Sequence, residues 1–512
     1  MFLLKDIKLT PAESEDALFE KAAKKLSCRR EDILEIKIIK KSIDARREPL
    51  YVYSVAAKVS PSAHAKGEKY IEAPSLKVKK AVFKKRPVII GFGPAGIFAA
   101  YFLSKAGARP IVIEMGKDAD KRAEDIKAFR LGAPLNERSN ICFGEGGAGT
   151  FSDGKLTTGI GSAYVKEVLK IFQEHGAPED ILYTQKPHVG SDVLPIVIKN
   201  IRKSIIKMGG EVHFEEKFLS FKTFKGEVCA AVTDKGEYET DTLLLSVGHS
   251  ARDIFEMLYQ SGILMEAKPF SVGARIEHKQ KDISFSQYGK NYTLLPSAEY
   301  KLSVHKGGAS VYTFCMCPGG YVVNSSSEKG EVVTNGYSLR ARDGENANSA
   351  LLVAVSPQSF GLGAMAGIAF QKGIEKSAYE MSASYRAPCQ LVGDFLKKKP
   401  SVSLGDIEPT YDKGVMVGDI SCCLPSFITE AMREGIRAFA DKIKGFDRYD
   451  AVLTAPETRS SSPVKILRGE DMQCNIKGIY PIGEGSGYAG GITSSAVDGI
   501  NAALKIIERN EK

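Results

Sequence analysis

The sequence predicts an α/β fold, and three segments carry that prediction. From Arg86 the chain reads RPVIIGFGPAGIFAAYFLSKAGARPIVIEMG, in which an apolar run, a glycine turn and a helix-length apolar stretch lead to a second apolar run ending at Glu114. At 479–491 the segment IYPIGEGSGYAGG repeats the apolar run and glycine turn, and a helical pattern follows from 493 to about 508. Between them, DTLLLSVG at 241–248 is a third apolar strand closed by glycine. Short, uniformly apolar strands alternating with helices are the pattern of a parallel sheet covered on both faces.

Before this region lies a small module, 1–60, which reads as β-α-β-β. A strand at 2–9 is followed by Thr10-Pro11-Ala12-Glu13, a capping box with proline at the first helical position. The helix it opens runs to about Leu26 with Ala17, Leu18, Ala22 and Leu26 on one face, and strands at 33–40 and 50–59 complete the unit. Residues 61–85 form a linker in which the run Lys77, Lys79, Lys80, Lys84, Lys85, Arg86 reads as solvated. The sheet-forming part then has strands at 87–90 and 109–113, a helix at 95–106, helices near 164–175 and 194–208, and three β-like runs between 211 and 245. The stretch 263–450 is mixed α+β. The predicted organisation is therefore a 1–60 module, a 61–85 linker, a first part of the nucleotide domain at 86–262, a substrate or cap domain at 263–450, and a return to the nucleotide domain at 451–512.

The glycines of Gly91-x-Gly93-x-x-Gly96 fall between strand and helix. There Gly91 permits the tight turn, Gly93 lets a pyrophosphate approach the backbone, and Gly96 lets helix pack on strand. Pro94 and Ala95 open the helix, whose N-terminal N–H groups and partial positive charge suit phosphate. Glu114, 18 residues beyond Gly96, is placed to accept from a ribose hydroxyl. This unit predicts a Rossmann-like dinucleotide domain and leaves NAD and FAD open. The C-terminal strand–Gly483-Glu484–helix segment is similar to the one that returns to the flavin in flavoproteins, and it turns the expectation to FAD. Gly248, Gly491 and Ile492 join the candidate contacts. A second glycine-rich loop, 140–156, adds Gly147, Gly149, Thr150 and Ser152, with Lys155 as a cation for the reduced ring.

The chain resembles the glutathione-reductase-like FAD superfamily, and more closely a family of bacterial FAD-dependent dehydrogenases. The strips that carry the closer likeness are NICFGEGGAGTFSDGKL, KPFSVGARIEH, YTFCMCPGGYVVNSSSE, APETRSSSPVKILR and YPIGEGSGYAGGITSSAVDGINAA. The resemblance covers nearly the whole chain, and it implies FAD as cofactor without carrying over a substrate.

Cys315-Met316-Cys317 is too tightly spaced for an ordinary unstrained disulfide within a strand, and with no second Cys pair it offers no metal site. It reads either as a buried strand end before a Pro-Gly-Gly turn or as a thiol lining the flavin. The C-x(4)-C pair of disulfide reductases is missing from the first helix, which disfavours that reaction. Glu457 and Arg459, like Arg275, Glu277 and His278, are charges in apolar strips, either paired structurally or holding an anionic substrate. His188 and His305 read as structural. Candidate catalytic residues are thus Cys315, Cys317, Lys155, Glu457 and Arg459.

Glycine, at 49 residues, exceeds the usual ~7% and clusters in these loops, as it does where backbone packs on a ligand. Nine cysteines, odd in number and irregular in spacing, with no signal peptide ahead, argue against a disulfide framework and for a cytoplasmic setting. No apolar run is long enough to span a bilayer. No second G-x-G-x-x-G with strand and helix lies between 160 and 450, so a dedicated NAD(P)H domain is not expected. The predicted activity is hydride transfer between flavin and a small organic substrate, with transient NAD(P)H or a protein as electron donor. The basic N-terminal module and linker raise one alternative, a tRNA-binding or tRNA-modifying flavoprotein, and a non-catalytic flavin-bound sensor is a second. The module's strands lack the interleaved aromatics of RNA-binding sheets, which disfavours nucleic acid.

Overall fold

Strands Val88–Ile90, Ile111–Ile113 and Leu243–Leu245 consist wholly of buried valine, isoleucine and leucine. In the computed structural model, which describes residues 1–72 and 74–511, they form the middle of a five-stranded sheet. Its order is Ile479–Pro481, Leu243–Leu245, Val88–Ile90, Ile111–Ile113, Glu211–His213, with every pairing parallel. Side chains alternate across the pleat. Ile89, Val112 and Leu244 therefore face a core shared with helices Pro94–Ala106, Leu194–Lys207 and Ile492–Arg509. Val88, Ile90, Ile113 and Leu245 face the opposite way, toward helix Arg252–Gln260 and the meander Phe218–Phe224, Glu227–Thr233, Glu237–Glu239. Helix Pro94–Ala106 is apolar on nearly every side and is buried accordingly. Helix Ile492–Arg509 packs onto it so closely that a Cβ at Gly499 would collide with the Ala95 carbonyl.

The cap is a seven-stranded sheet in the order Ser303–Lys306, Ala309–Cys317, Asn346–Val355, Phe270–Lys279, Val452–Glu457, Ala387–Leu391, Val415–Val417. Only the last pair is parallel. Strand Phe270–Lys279 divides by the period of two: Phe270, Val272, Ala274 and Ile276 enter the cap core, whereas Ser271, Gly273, Arg275 and Glu277 present the other face. Cap and nucleotide domain are joined by an antiparallel ribbon of Met265–Ala267 with Val464–Ile466. The N-terminal module is a four-stranded sheet covered by helix Ala17–Leu26, and its Lys41 exchanges backbone hydrogen bonds with Tyr183 and Gln185. Among the described residues no helix is long and apolar enough to cross a membrane.

Two expectations change. The first helix begins at Ala17, not at Pro11. Glu13 does accept from the Thr10 N–H at 2.7 Å, but Glu15 is drawn off the helix axis to Lys41 and Tyr53 at 2.6 and 3.0 Å, and 10–16 remains a turn. The 61–85 stretch keeps Lys77, Lys79, Lys80, Lys84 and Lys85 exposed, as expected, but is anchored to the domains at several points. Glu68–Lys69 pairs with Phe2–Leu9, Leu76, Val78 and Phe83 cover the nucleotide-domain core, and Lys79 reaches Glu511 at 2.8 Å. Finally, Val452–Glu457 is an interior strand of the cap sheet, so the return to the nucleotide domain starts after it, not at 451. A helix at Ala119–Arg130, absent from the expectations above, is capped by Asp118, which accepts from the Asp120 and Lys121 N–H groups at 3.2 and 3.3 Å.

Placing a methyl at Gly499 tests the helix contact. Gly499→Ala is expected to destabilise the protein by about 1–3 kcal/mol through overpacking, read as a lowered midpoint in urea denaturation.

Candidate functional site

One continuous cleft opens at the ends of the parallel strands. Its floor is the turn Gly91, Gly93, Pro94 and Ala95, its far end Ile113 and Glu114. The glycines there have two distinct functions. Gly91 (φ 93°) and Gly96 let strand, turn and helix close up, since a Cβ on Gly96 would overlap the Gly91 carbonyl and Ser246. Gly93 instead faces open space, its nearest neighbour being the Gly147 Cα at 3.8 Å from where a Cβ would lie. Gly248 and Gly490 likewise have nothing within 4 Å of such a Cβ. The lining is therefore bare backbone, a cradle that side chains would fill.

Two helix N-termini meet at this cradle. Helix Pro94–Ala106 has Gly93 at its N-cap and helix Ile492–Arg509 has Gly491, and neither cap is satisfied by a side chain. Their first-turn N–H groups and positive dipole ends are left for an anion. Glu114 is held by three backbone donors: Phe92 N–H at 2.8 Å, Gly116 N–H at 2.9 Å and Gly144 N–H at 3.0 Å. These bonds fix its carboxylate at the cleft edge and anchor the second glycine loop. Gly147 and Gly149 of that loop line the cleft with Ser152, and Gly483, Glu484, Gly491 and Ile492 line it from the C-terminal segment. Gly96 and Thr150 do not. Gly96 is packed behind the turn, and the Thr150 hydroxyl is turned inward to the Glu145 carbonyl at 3.1 Å.

The cleft depends on two residues that the motifs do not reveal. The fully buried guanidinium of Arg122 donates to the carbonyls of Asn140, Ile141, Glu145 and Gly147 at 2.7–3.0 Å, moulding the second loop from behind. Burial draws its pKa down to about 10. Its helix carried a visible Asp118 cap signal, but nothing local shows that it reaches 140–147. His249 stands beside Glu484 at 3.2 Å and lines the cleft; its signal is its position directly after Gly248.

The cap closes the other side with Phe314, Cys315, Asn335, Glu457, Arg459 and Ser460. Glu457 accepts a two-pronged contact from the buried Arg275 guanidinium, whose Nη2 lies 2.9 Å from Oε1 and whose Nε meets Oε2. Burial pushes the Glu457 carboxyl up to about 7 even against that cation. Arg459 is fully engaged: Nε and Nη2 reach Glu375 at 3.1 and 2.8 Å, and Nη1 reaches Ser327 at 2.5 Å. Arg252, from the nucleotide domain, enters the same cluster, meeting Glu375 at 2.8 Å and Glu331 at 3.0 Å. Burial and the neighbouring Glu375 charge raise Glu331 to about 8. Burial also penalises the Glu375 charge, but the two arginines hold its carboxyl well below the usual range.

Cys315 and Cys317 lie on a bulge. The strand pairs Phe314 with Ala350 and resumes at Cys317 with Asn348, so two residues oppose one. Cys315 takes φ 44°, in the left-handed region. The Cys317 thiol donates to the Cys315 carbonyl at 3.2 Å, and its nearness is the main influence lowering Cys315 to about 6; burial opposes it, and Lys155 and Arg275 add to the lowering. Burial, and after it the neighbouring Cys315, push Cys317 upward. Lys155, expected at the flavin, does not line the cleft. Its ammonium pairs with Asp153 at 3.0 Å and donates to the Met316 carbonyl, beneath the thiol bulge. His188 lies 3.6 Å from the same Asp153, and His305 meets Ser310 at 2.9 Å on the cap edge.

Comparison with known proteins gives the chain its relatives. The family described as "FAD-dependent protein, C-terminal domain-like" matches residues 269–460, the cap. A "Domain of unknown function (DUF8436)" matches residues 1–58. An uncharacterized protein of Clostridium beijerinckii is 44% identical over 528 residues, covering 99% of this chain and 98% of its own length. Solved structures similar to it include glycine oxidase from Bacillus cereus, at 11% identity and TM-score 0.35 over 84% of this chain and 96% of that one. Another is L-proline dehydrogenase from P. horikoshii, at 10% identity and TM-score 0.34 over 85% and 95%.

Removing Arg252 tests the cluster that joins the domains. Arg252→Ala is expected to cost about 3–5 kcal/mol, the range for breaking a buried ion pair, read by chemical denaturation.

Proposed function

Since the chain belongs to the family of the Clostridium beijerinckii protein and carries the C-terminal domain of FAD-dependent proteins, we propose that it is an FAD-dependent oxidoreductase of the glutathione-reductase-like type. In this reading it passes hydride between the flavin and a small organic substrate under the cap sheet. The carrying observation is the bare-backbone cleft on which two uncapped helix N-termini converge, with Glu114 on the sheet side and Cys315 on the cap side. When bound, FAD supplies a two-electron hydride donor and acceptor.

The residues divide the remaining work. Gly91, Gly93 and the first turn of helix Pro94–Ala106 hold the pyrophosphate, and Glu114 accepts from the adenosine ribose. The N-terminus of helix Ile492–Arg509 and the Glu484–His249 pair face the ribityl and ring end, where the dipole favours the reduced anion. Gly147 and Gly149, moulded by Arg122, close over the pyrophosphate. Phe314, Cys315 and the Arg275–Glu457 pair of the cap exclude water above the ring. Lys155 and Arg459 act as positioning residues, tying the second loop and the two domains in place, not as groups that touch substrate. Electrons arrive from NAD(P)H visiting the ring transiently or from a partner protein.

The purified chain is expected to carry about one FAD, bleached anaerobically by NADH, NADPH or a candidate organic donor, with colour restored by an acceptor. A flavin unchanged by every donor and acceptor, or no flavin at all, overturns the reading. Glu114→Ala strands backbone donors at about 1–3 kcal/mol each and is expected to weaken FAD retention at least ~10-fold, since about 1.4 kcal/mol is tenfold, measured by fluorescence of released flavin.

A further inference from the structure

The cap sets one cysteine against the cleft and a second behind it, in a geometry that a regular strand would not give. Two residues of an ordinary strand span about 6.6–6.8 Å, at the outer edge of the Cα separation a disulfide accepts. Here the bulge compresses Cys315 and Met316 into the space opposite a single partner residue. Cys315 is held in left-handed backbone that a non-glycine residue adopts only when its surroundings impose it. Those surroundings are specific. Arg275 donates to the Cys315 carbonyl at 2.9 Å and lies 4.0 Å from the Cys317 sulfur, Cys317 Sγ sits 3.2 Å from the Cys315 carbonyl oxygen, and Lys155 fixes the Met316 carbonyl between them. Cys315 lines the cleft, while Cys317 is fully buried directly behind it. A partly exposed cysteine at a cleft, backed by a second thiol and with two cations around both, is how a reactive cysteine and its resolving partner are arranged.

We propose that Cys315 and Cys317 are a redox pair that exchanges two electrons with the flavin. The reduced flavin anion gives up two electrons and one proton to the Cys315–Cys317 disulfide. The S–S bond breaks, Cys315 leaves as thiolate, Cys317 takes the proton, and the flavin ends oxidised. The reverse step forms the bond and reduces the flavin. The pair stores one further reducing equivalent of two electrons beside the ring. This rests on the proposed flavin chemistry and adds to it a second redox centre supplied by the chain itself.

The test uses the FAD-loaded protein, equilibrated with oxidised glutathione, desalted and titrated anaerobically with dithionite. Each two-electron couple takes up its own pair of electrons, so the wild type is expected to consume about four electrons per FAD, and Cys315→Ser and Cys317→Ser about two. Before titration the denatured wild type is expected to alkylate two fewer thiols than its nine cysteines supply, and after titration all nine. In the reduced protein, iodoacetamide reaction at Cys315 should fall away as pH drops through about 6, because the thiolate is lost there, and Cys317→Ser should move that midpoint upward. A wild type that takes up two electrons with all nine thiols free overturns the redox pair and leaves the oxidoreductase reading standing. A protein that binds no FAD overturns both.

Discussion

The contact of helix Ile492–Arg509 with helix Pro94–Ala106 fixes the geometry of everything above it. The two helices come from opposite ends of the chain, and with Gly499 against the Ala95 carbonyl they approach to backbone contact. At that separation their N-termini, both capped by glycine and neither satisfied by a side chain, open onto the same few ångströms of cleft. A larger residue at the contact would splay the dipoles apart. The parallel sheet supplies the platform beneath, because strands buried on both faces leave their C-terminal ends as the natural place for a ligand.

The second constraint is electrostatic. Arg122 shapes a glycine-rich loop whose own apolar packing is limited to a few side chains such as Ile141 and Phe151, gathering four of its carbonyls. Arg275 does the same for the cap side, holding Glu457, the Cys315 carbonyl and the Asn348 side chain together. In both places a buried guanidinium replaces the hydrophobic packing that a cofactor-lined wall lacks, since its planar fork of donors satisfies several acceptors at once. Such a cation is costly to bury unless its partners are complete, and these are nearly so.

What was legible in the sequence follows from range. Gly91, Gly93, Gly96 and Glu114 obey rules confined to one strand–turn–helix unit, so their placement could be read directly. The C-terminal return was legible for the same reason. The capping box at Thr10 misled because Glu15 answers to Lys41 and Tyr53 across the sheet, a competitor that lies far away in sequence. The cap boundary at 451 failed because antiparallel strands from distant segments interleave, and Val452–Glu457 finds its neighbours at 270–279 and 387–391. The Arg252 guanidinium gathers partners 76 to 123 positions away, and no local pattern announces it. Cys315 and Cys317 stood out as a spacing, but the bulge that gives the spacing meaning is written in the register of the neighbouring strand.

The Arg252 cluster has a consequence for traffic through the molecule. Its guanidinium comes from one domain and its carboxylates from the other, so swinging the cap away would strand charges that no water had reached while it was shut. The ribbon of Met265–Ala267 with Val464–Ile466 adds a second tether alongside. Cap and platform therefore behave as a single rigid casing, and whatever exchanges electrons in the cleft must thread its mouth. Under the proposed function, the width of that mouth, and not a hinge, limits what reaches the flavin.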